Sequence, residues 1–215
     1  MQEYKYILFD WDGTLAKTLD IWLSSLRNAL QKRNYSFSDT EIGANYELFR
    51  KRFEAEGHSG ADDMINEALD EADKNILNVE LYPSAVDTLE KIHNFGRKIG
   101  LVTASTHEQI DPLLRHFGLV DLFGSVICSD DTKMQKPDPE PILKAMQILG
   151  ATHESTILIG DSEKDILAAH GAGISSMLFY PKSHEKFHDI EMLKSLDPTY
   201  VIHSLKEINK IIYLV

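Results

Sequence analysis

The chain has 215 residues, 34 Asp and Glu against 22 Lys and Arg, a formal net charge of −12 and 43% hydrophobic residues, the proportions of an acidic globular protein of one large or two small domains. The single cysteine, Cys128, excludes a disulfide-stapled fold and a cysteine-rich zinc site, which makes the reducing cytoplasm the expected location. No apolar run approaches the ~20 residues of a membrane span, and no basic run is longer than Arg50-Lys51-Arg52, so neither a membrane nor a nucleic acid polymer is an expected partner.

The short apolar run Tyr6-Ile7-Leu8-Phe9 stops at Asp10 and Gly13, the pattern of a buried strand that delivers its C-terminal end to a polar loop. It is also too short and too soon charged for a signal peptide. Helical spacing follows through Leu19, Trp22, Leu23, Leu26 and Leu30. Ser38-Asp39-Thr40-Glu41 has the form of a capping box, opening one helix through Tyr46, Phe49 and Phe53 that Gly57 and Gly60 end. A third helical stretch runs through Met64, Ile65, Ala68, Leu69 and Ala72. Residues 17–81 thus read as a helical insert without a strand, and Arg50-Lys51-Arg52 within it as a solvated basic face.

From Tyr82 onward helix and strand alternate. Val86, Leu89, Ile92 and Phe95 mark a helix ended by Gly96, Lys98 to Thr103 a strand, and Ile110 to Phe117 a helix preceded by the capping signature Ser105-Thr106-His107-Glu108. Ser125 to Cys128 is a strand, Asp138-Pro139 starts a helix running to Leu149, and Thr156 to Gly160 is another strand. Ile166 to His170, Ile174 to Phe179, Tyr200 to His203 and Leu205 to Leu214 continue the alternation. Gly171-Ala172-Gly173 follows a helix and precedes a strand, so it reads as a helix end rather than a dinucleotide loop. The nine histidines suggest no zinc site, and His107 reads as a surface or cap residue.

Such alternation predicts an α/β fold: a Rossmann-like three-layer core, residues 1–16 and 82–215, with a mostly parallel sheet and a helical domain, 17–81, inserted after the first strand. Ligands of such sheets gather at the carboxyl ends of the strands. Here those ends carry Asp10 and Asp12, then Thr103, Ala104 and Ser105, the loop to Lys136, and Asp161 with Asp165.

Asp10-Trp11-Asp12-Gly13-Thr14, Thr103, Lys136-Pro137-Asp138-Pro139 and Gly160-Asp161-Ser162-Glu163-Lys164-Asp165 resemble, in order and spacing, the four motifs of the haloacid dehalogenase-like superfamily. The insert is similar to that superfamily's helical C1 cap, as in phosphoglycolate phosphatase-like and β-phosphoglucomutase-like members. The resemblance implies Asp10, Asp12, Thr103 and Lys136 as catalytic residues. It implies Thr103, Ala104 and Lys136 as the phosphate-holding set, and Asp10, Asp12, Asp161 and Asp165 around a metal.

Phosphoryl transfer requires a nucleophile, neutralisation of the equatorial oxygens and a proton for the leaving alkoxide. Asp10 suits the first, since a carboxylate needs no base, although alone it also fits a turn carboxylate. Asp12 suits the acid and then the base. Carboxylates facing a phosphate dianion demand a cation, and oxygen ligands select a hard one, implied to be Mg²⁺. Asp165 is expected in its outer shell or holding Lys136, although Ser162-x-x-Asp165 is itself a capping box.

The family's first motif commonly continues to an acid where Lys17 stands here. Dehalogenase and phosphonatase branches typically lack the acid at Asp12, which leaves phosphatases and phosphomutases, and Gly160 before Asp161 resembles the phosphatases. The expected function is therefore an Mg²⁺-dependent phosphatase acting on a small phosphorylated metabolite, as a monomer or homodimer. A sugar phosphomutase and a catalytically silent phosphate-binding module are the alternatives. Hinges are expected near Ala16 to Leu19 and Leu81 to Ser84.

Overall fold

A computed structural model describes residues 3–43 and 46–212. In chain order its elements are β1 (Tyr6–Phe9), α1 (Thr18–Lys32), α2 (Asp39–Gly43), α3 (Tyr46–Ala55), α4 (Ala61–Lys74), α5 (Ala85–Asn94), β2 (Lys98–Val102), α6 (His107–His116), β3 (Phe123–Ile127) and α7 (Glu140–Leu149). Then come β4 (Thr156–Gly160), α8 (Glu163–Gly171), β5 (Ser175–Phe179), α9 (Ile190–Ser195), β6 (Tyr200–Ile202) and α10 (Ile208–Ile212). The six strands lie in the order β3-β2-β1-β4-β5-β6, and every neighbouring pair is parallel.

Alternation along each strand builds two cores. Ile7, Phe9, Ile99, Leu101, Ile157 and Ile159 point to the face covered by α5, α6 and α10. Leu8, Val102 and Leu158 point to the other, where α7 and α8 supply Ile142, Ala145, Leu149, Ala168 and Ala169. The α/β three-layer expectation is thereby met, with β1 and β4 at the centre of the sheet.

The helices between β1 and α5 close around their own cluster of Leu23, Leu26, Leu30, Ile42, Phe49, Phe53, Met64, Ile65 and Ala68. The chain enters and leaves this insert side by side: Ala16 and Leu81 form an antiparallel bridge, Lys17 N donates to Glu80 O at 2.9 Å, and Tyr82 N donates to Leu15 O at 2.9 Å. One residue from the sheet side, Phe187, is buried in the insert's cluster, and Lys186 Nζ meets Asp20 at 2.5 Å.

Several expectations change in detail. Helix is described on both sides of residues 44–45, as α2 and α3, and Ser38 N donates to Glu41 Oε2 at 2.7 Å as the expected capping box requires. The side chain of Tyr46 and the terminal Leu214 lie outside the described residues. Leu69 and Phe95, placed on apolar faces, are 43% and 66% exposed, because α4 buries only Ala61, Met64, Ile65 and Ala68 and α5 ends at Asn94. The third strand starts two residues earlier than expected, at Phe123. Arg52 pairs with Glu41 and Glu56, and Arg50 lies 3.5 Å from Asp62, so these two arginines are held by carboxylates of the insert. The turn over Lys182–Lys186 and helix α9 were not expected at all.

Candidate active site

The backbone after β1 turns back at once: the N–H groups of Thr14, Leu15 and Ala16 all donate to the Trp11 carbonyl. Gly13 takes φ +73°, and a Cβ there would lie 2.3 Å from Asp161 Oδ2, so only glycine fits. This turn leaves Asp10 and Asp12 both lining one cavity of about 420 Å³, together with Leu19, Asp161, His188 and Met192.

Lys136 is the hub of the buried charges. Its ammonium lies 2.8 Å from Asp10 Oδ1 and 2.6 Å from Asp165 Oδ1, and donates to the Val102 carbonyl at 2.9 Å. Burial alone would lower its pKa, but Asp10 and Asp165 outweigh that and hold it above the ordinary lysine value. Asp165 serves both readings offered for it. Oδ1 faces Lys136, while Oδ2 accepts from Ser162 N at 3.1 Å and Ser162 Oγ at 2.6 Å, capping α8. That reach requires the preceding strand end to be bare, since a Cβ on Gly160 would lie 2.3 Å from Asp165 Cγ.

Asp12 is held from the β2 side. Ser105 Oγ donates to its Oδ2 at 2.9 Å and Thr103 Oγ1 at 3.3 Å. The capping signature is therefore shifted by one residue. Thr106 is the N-cap, in a box with Gln109, and Ser105 is released to reach Asp12. Thr103, expected to hold phosphate, is buried with its hydroxyl on Asp12, while Ala104 is exposed in the loop beside it.

Asp161, 3% exposed, has Thr14 Oγ1 3.5 Å from Oδ1, and His188 Nε2 3.1 Å and His184 Nδ1 3.8 Å from Oδ2. His184 is fully buried and its Nε2 lies 2.6 Å from the Tyr82 hydroxyl. Burial lowers its pKa to about 3, so the ring is neutral. Ser105, expected at this strand end, has Asp12 as its partner, and His184 and His188 are the neighbours of the acidic residues that sequence reasoning missed. The His-x-x-x-His spacing of 184 and 188 was a legible signal that the reading of the histidines passed over. His107 lies elsewhere, its ring between Asp111 at 3.1 Å and Asp131 at 2.8 Å.

Oxygens of Asp10, Asp161 and Asp165 lie within 4.8 Å of one another. Burial, with the other carboxylates adding to it against Lys136, raises Asp10 well above the ordinary range, and burial also raises Asp161. The buried ammonium of Lys136 pairs with only two of the four carboxylates, Asp10 and Asp165. An oxygen-rich cradle short of positive charge is the chemistry a hard divalent cation completes.

A family model of haloacid dehalogenase-like hydrolases matches residues 7–179. Pyrophosphatase PpaX of Oceanobacillus iheyensis is 31% identical over 208 residues, 96% of this chain and 95% of that one. Pyrophosphatase PpaX of Anoxybacillus flavithermus is 36% identical over 172 residues, covering 78% and 79%. Among solved structures, a predicted phosphoglycolate phosphatase from Haemophilus somnus 129pt superposes with a TM-score of 0.78 at 25% identity, over 98% of this chain and 99% of that one.

Proposed function

The chain belongs to the haloacid dehalogenase-like hydrolase family, and from that premise we propose that it is an Mg²⁺-dependent phosphatase acting on a small phosphate monoester through an aspartyl-phosphate. The observation that carries this reading is the convergence of Asp10 and Asp12 from the end of β1 and Asp161 from the end of β4 on one cavity, with Lys136 from the loop after β3 paired to Asp10 behind it. The apolar lining beyond the acids, Leu19, Phe187, Met192 and Leu193, suits an organic leaving group.

The Asp10 carboxylate attacks phosphorus while the bond to the ester oxygen breaks, and Asp12 gives that oxygen its proton. Asp12, now a carboxylate held by Ser105 and Thr103, takes a proton from water, whose oxygen attacks the same phosphorus. The Asp10–phosphorus bond then breaks, so ester and water become alcohol and phosphate. Lys136, fixed between Asp10 and Asp165, offsets charge on the phosphoryl group. Mg²⁺, held by Asp10, Asp161 and the Asp12 carbonyl, would neutralise the phosphoryl oxygens when bound. Residues 17–81 act as a cap whose crossing point at Ala16 and Leu81 is the hinge.

A second reading, hydrolysis of a phosphoanhydride such as inorganic pyrophosphate, is favoured by the names of the relatives above. The test is phosphate release from a panel of phosphate monoesters and pyrophosphate, with Mg²⁺ and with chelator, for wild type beside Asp10→Asn. Chelator-sensitive, Asp10-dependent release is expected. Release that Asp10→Asn leaves intact overturns the mechanism, and conversion of hexose 1-phosphates without release would make the chain a mutase.

A further inference from the structure

Two histidines beside Asp161 have no part in the chemistry above. His184 Nε2 is matched to the Tyr82 hydroxyl, but His184 Nδ1 is buried without a hydrogen-bond partner and aimed at Asp161 Oδ2, 3.8 Å away. His188 Nε2 approaches the same oxygen to 3.1 Å, and donor atoms of all three residues lie within 4.8 Å of one another. Around an ion with metal–ligand bonds of about 2.0–2.2 Å, neighbouring donors sit about 2.8–3.1 Å apart in an octahedron and about 3.3–3.6 Å apart in a tetrahedron. The spacings found straddle these values.

We propose that Asp161, His184 and His188 form a second cation site, which takes a borderline transition ion such as Mn²⁺, Co²⁺ or Zn²⁺ beside the oxygen-only site for the hard ion. Two imidazole nitrogens and one carboxylate favour such ions over Mg²⁺ and leave coordination positions open. The outer partners are in place. With the Tyr82 hydroxyl accepting the Nε2 proton, His184 turns its Nδ1 lone pair toward Asp161, as ligating histidines require. The segment 184–188 that carries both rings is anchored by Phe187, buried in the insert's cluster, and by the ion pair of Lys186 with Asp20. Asp161 and His188 line the cavity, which gives the ion an entry path.

The site is read by metal binding rather than turnover, so it stands or falls independently of the phosphatase reading. Metal-free full-length protein in excess Mg²⁺ is titrated with Co²⁺ and followed by visible absorption and proton NMR. One equivalent is expected to bind with visible d–d bands and two paramagnetically shifted, exchangeable imidazole N–H resonances. His188→Ala, which changes a partly exposed residue and spares the buried His184, removes one resonance and weakens Co²⁺ binding at least about tenfold. Asp10→Asn retains both resonances. Displacement of Co²⁺ by Mg²⁺, the absence of shifted imidazole resonances, or a spectrum that His188→Ala leaves unchanged overturns the proposal. Each of these results would make the pair hydrogen-bonding supports of Asp161.

Discussion

Lys136→Met is the substitution with the clearest energetic consequence. Methionine keeps most of the side-chain volume and leaves no large cavity, so the loss is that of the ammonium, which is 2.8 Å from Asp10, 2.6 Å from Asp165 and bonded to the Val102 carbonyl. All three partners are left in a site where the lysine side chain is only 6% exposed. Removing one member of a buried ion pair costs about 3–5 kcal/mol, since the remaining charge stays desolvated. For a chain of this length that lowers Tm by roughly 6–20 °C. The cost also depends on pH with a definite sign. Without Lys136 the folded-state pKa of Asp10, already raised by burial, rises further above its unfolded value. The folded variant therefore binds more protons than the unfolded chain, and stability is lost as pH rises through that raised value. Urea unfolding of both proteins across pH, in chelator, should show a difference that shrinks toward acid. A difference below about 1 kcal/mol, or one that does not change with pH, refutes the reasoning.

Gly160→Ala places a Cβ 2.3 Å from Asp165 Cγ, so Asp165 must leave both Lys136 and the cap of α8. A loss of about 1–3 kcal/mol in urea unfolding is expected, with phosphate release falling alongside it. Phe187→Ala removes the sheet side's apolar anchor in the insert, at about 3–5 kcal/mol, and should appear as faster proteolysis within residues 17–81 than at the sheet. Burial raises Asp10 and Asp161 in the folded chain, so in chelator their contribution to stability declines as pH is raised above the ordinary Asp value of about 4. A divalent cation should offset that decline, making the gain in urea midpoint on adding Mg²⁺ grow with pH; a gain that is flat or shrinks would count against the cluster as a cation cradle.

The three strands that carry the site were legible because each is a short apolar run stopped by a chemically distinctive residue: Phe9 by Asp10, Val102 by Thr103, Gly160 by Asp161. Their parallel order followed from the helices between them. What escaped the sequence was set by distant contacts. Ser105 and Thr106 are adjacent hydroxyls, each with a suitable partner three residues on, and local pattern does not choose between them; Asp12, far back in the chain, draws Ser105 away. The turn over Lys182–Lys186 has no apolar period, and His184 is buried there by Tyr82, 102 residues earlier. Exposed Leu69 and Phe95 show the converse, apolar residues in helical register that the fold leaves largely open to solvent.

The most direct measurement is rapid acid quench of the enzyme with a substrate found in the phosphate-release panel, followed by mass spectrometry of the digested chain. A phosphoryl group on the peptide containing Asp10, formed at the rate of turnover or faster and absent from Asp10→Asn, is the expected result. Turnover without any phosphoryl group on that peptide, together with solvent oxygen entering phosphate directly in a single turnover, would contradict Asp10 as the nucleophile.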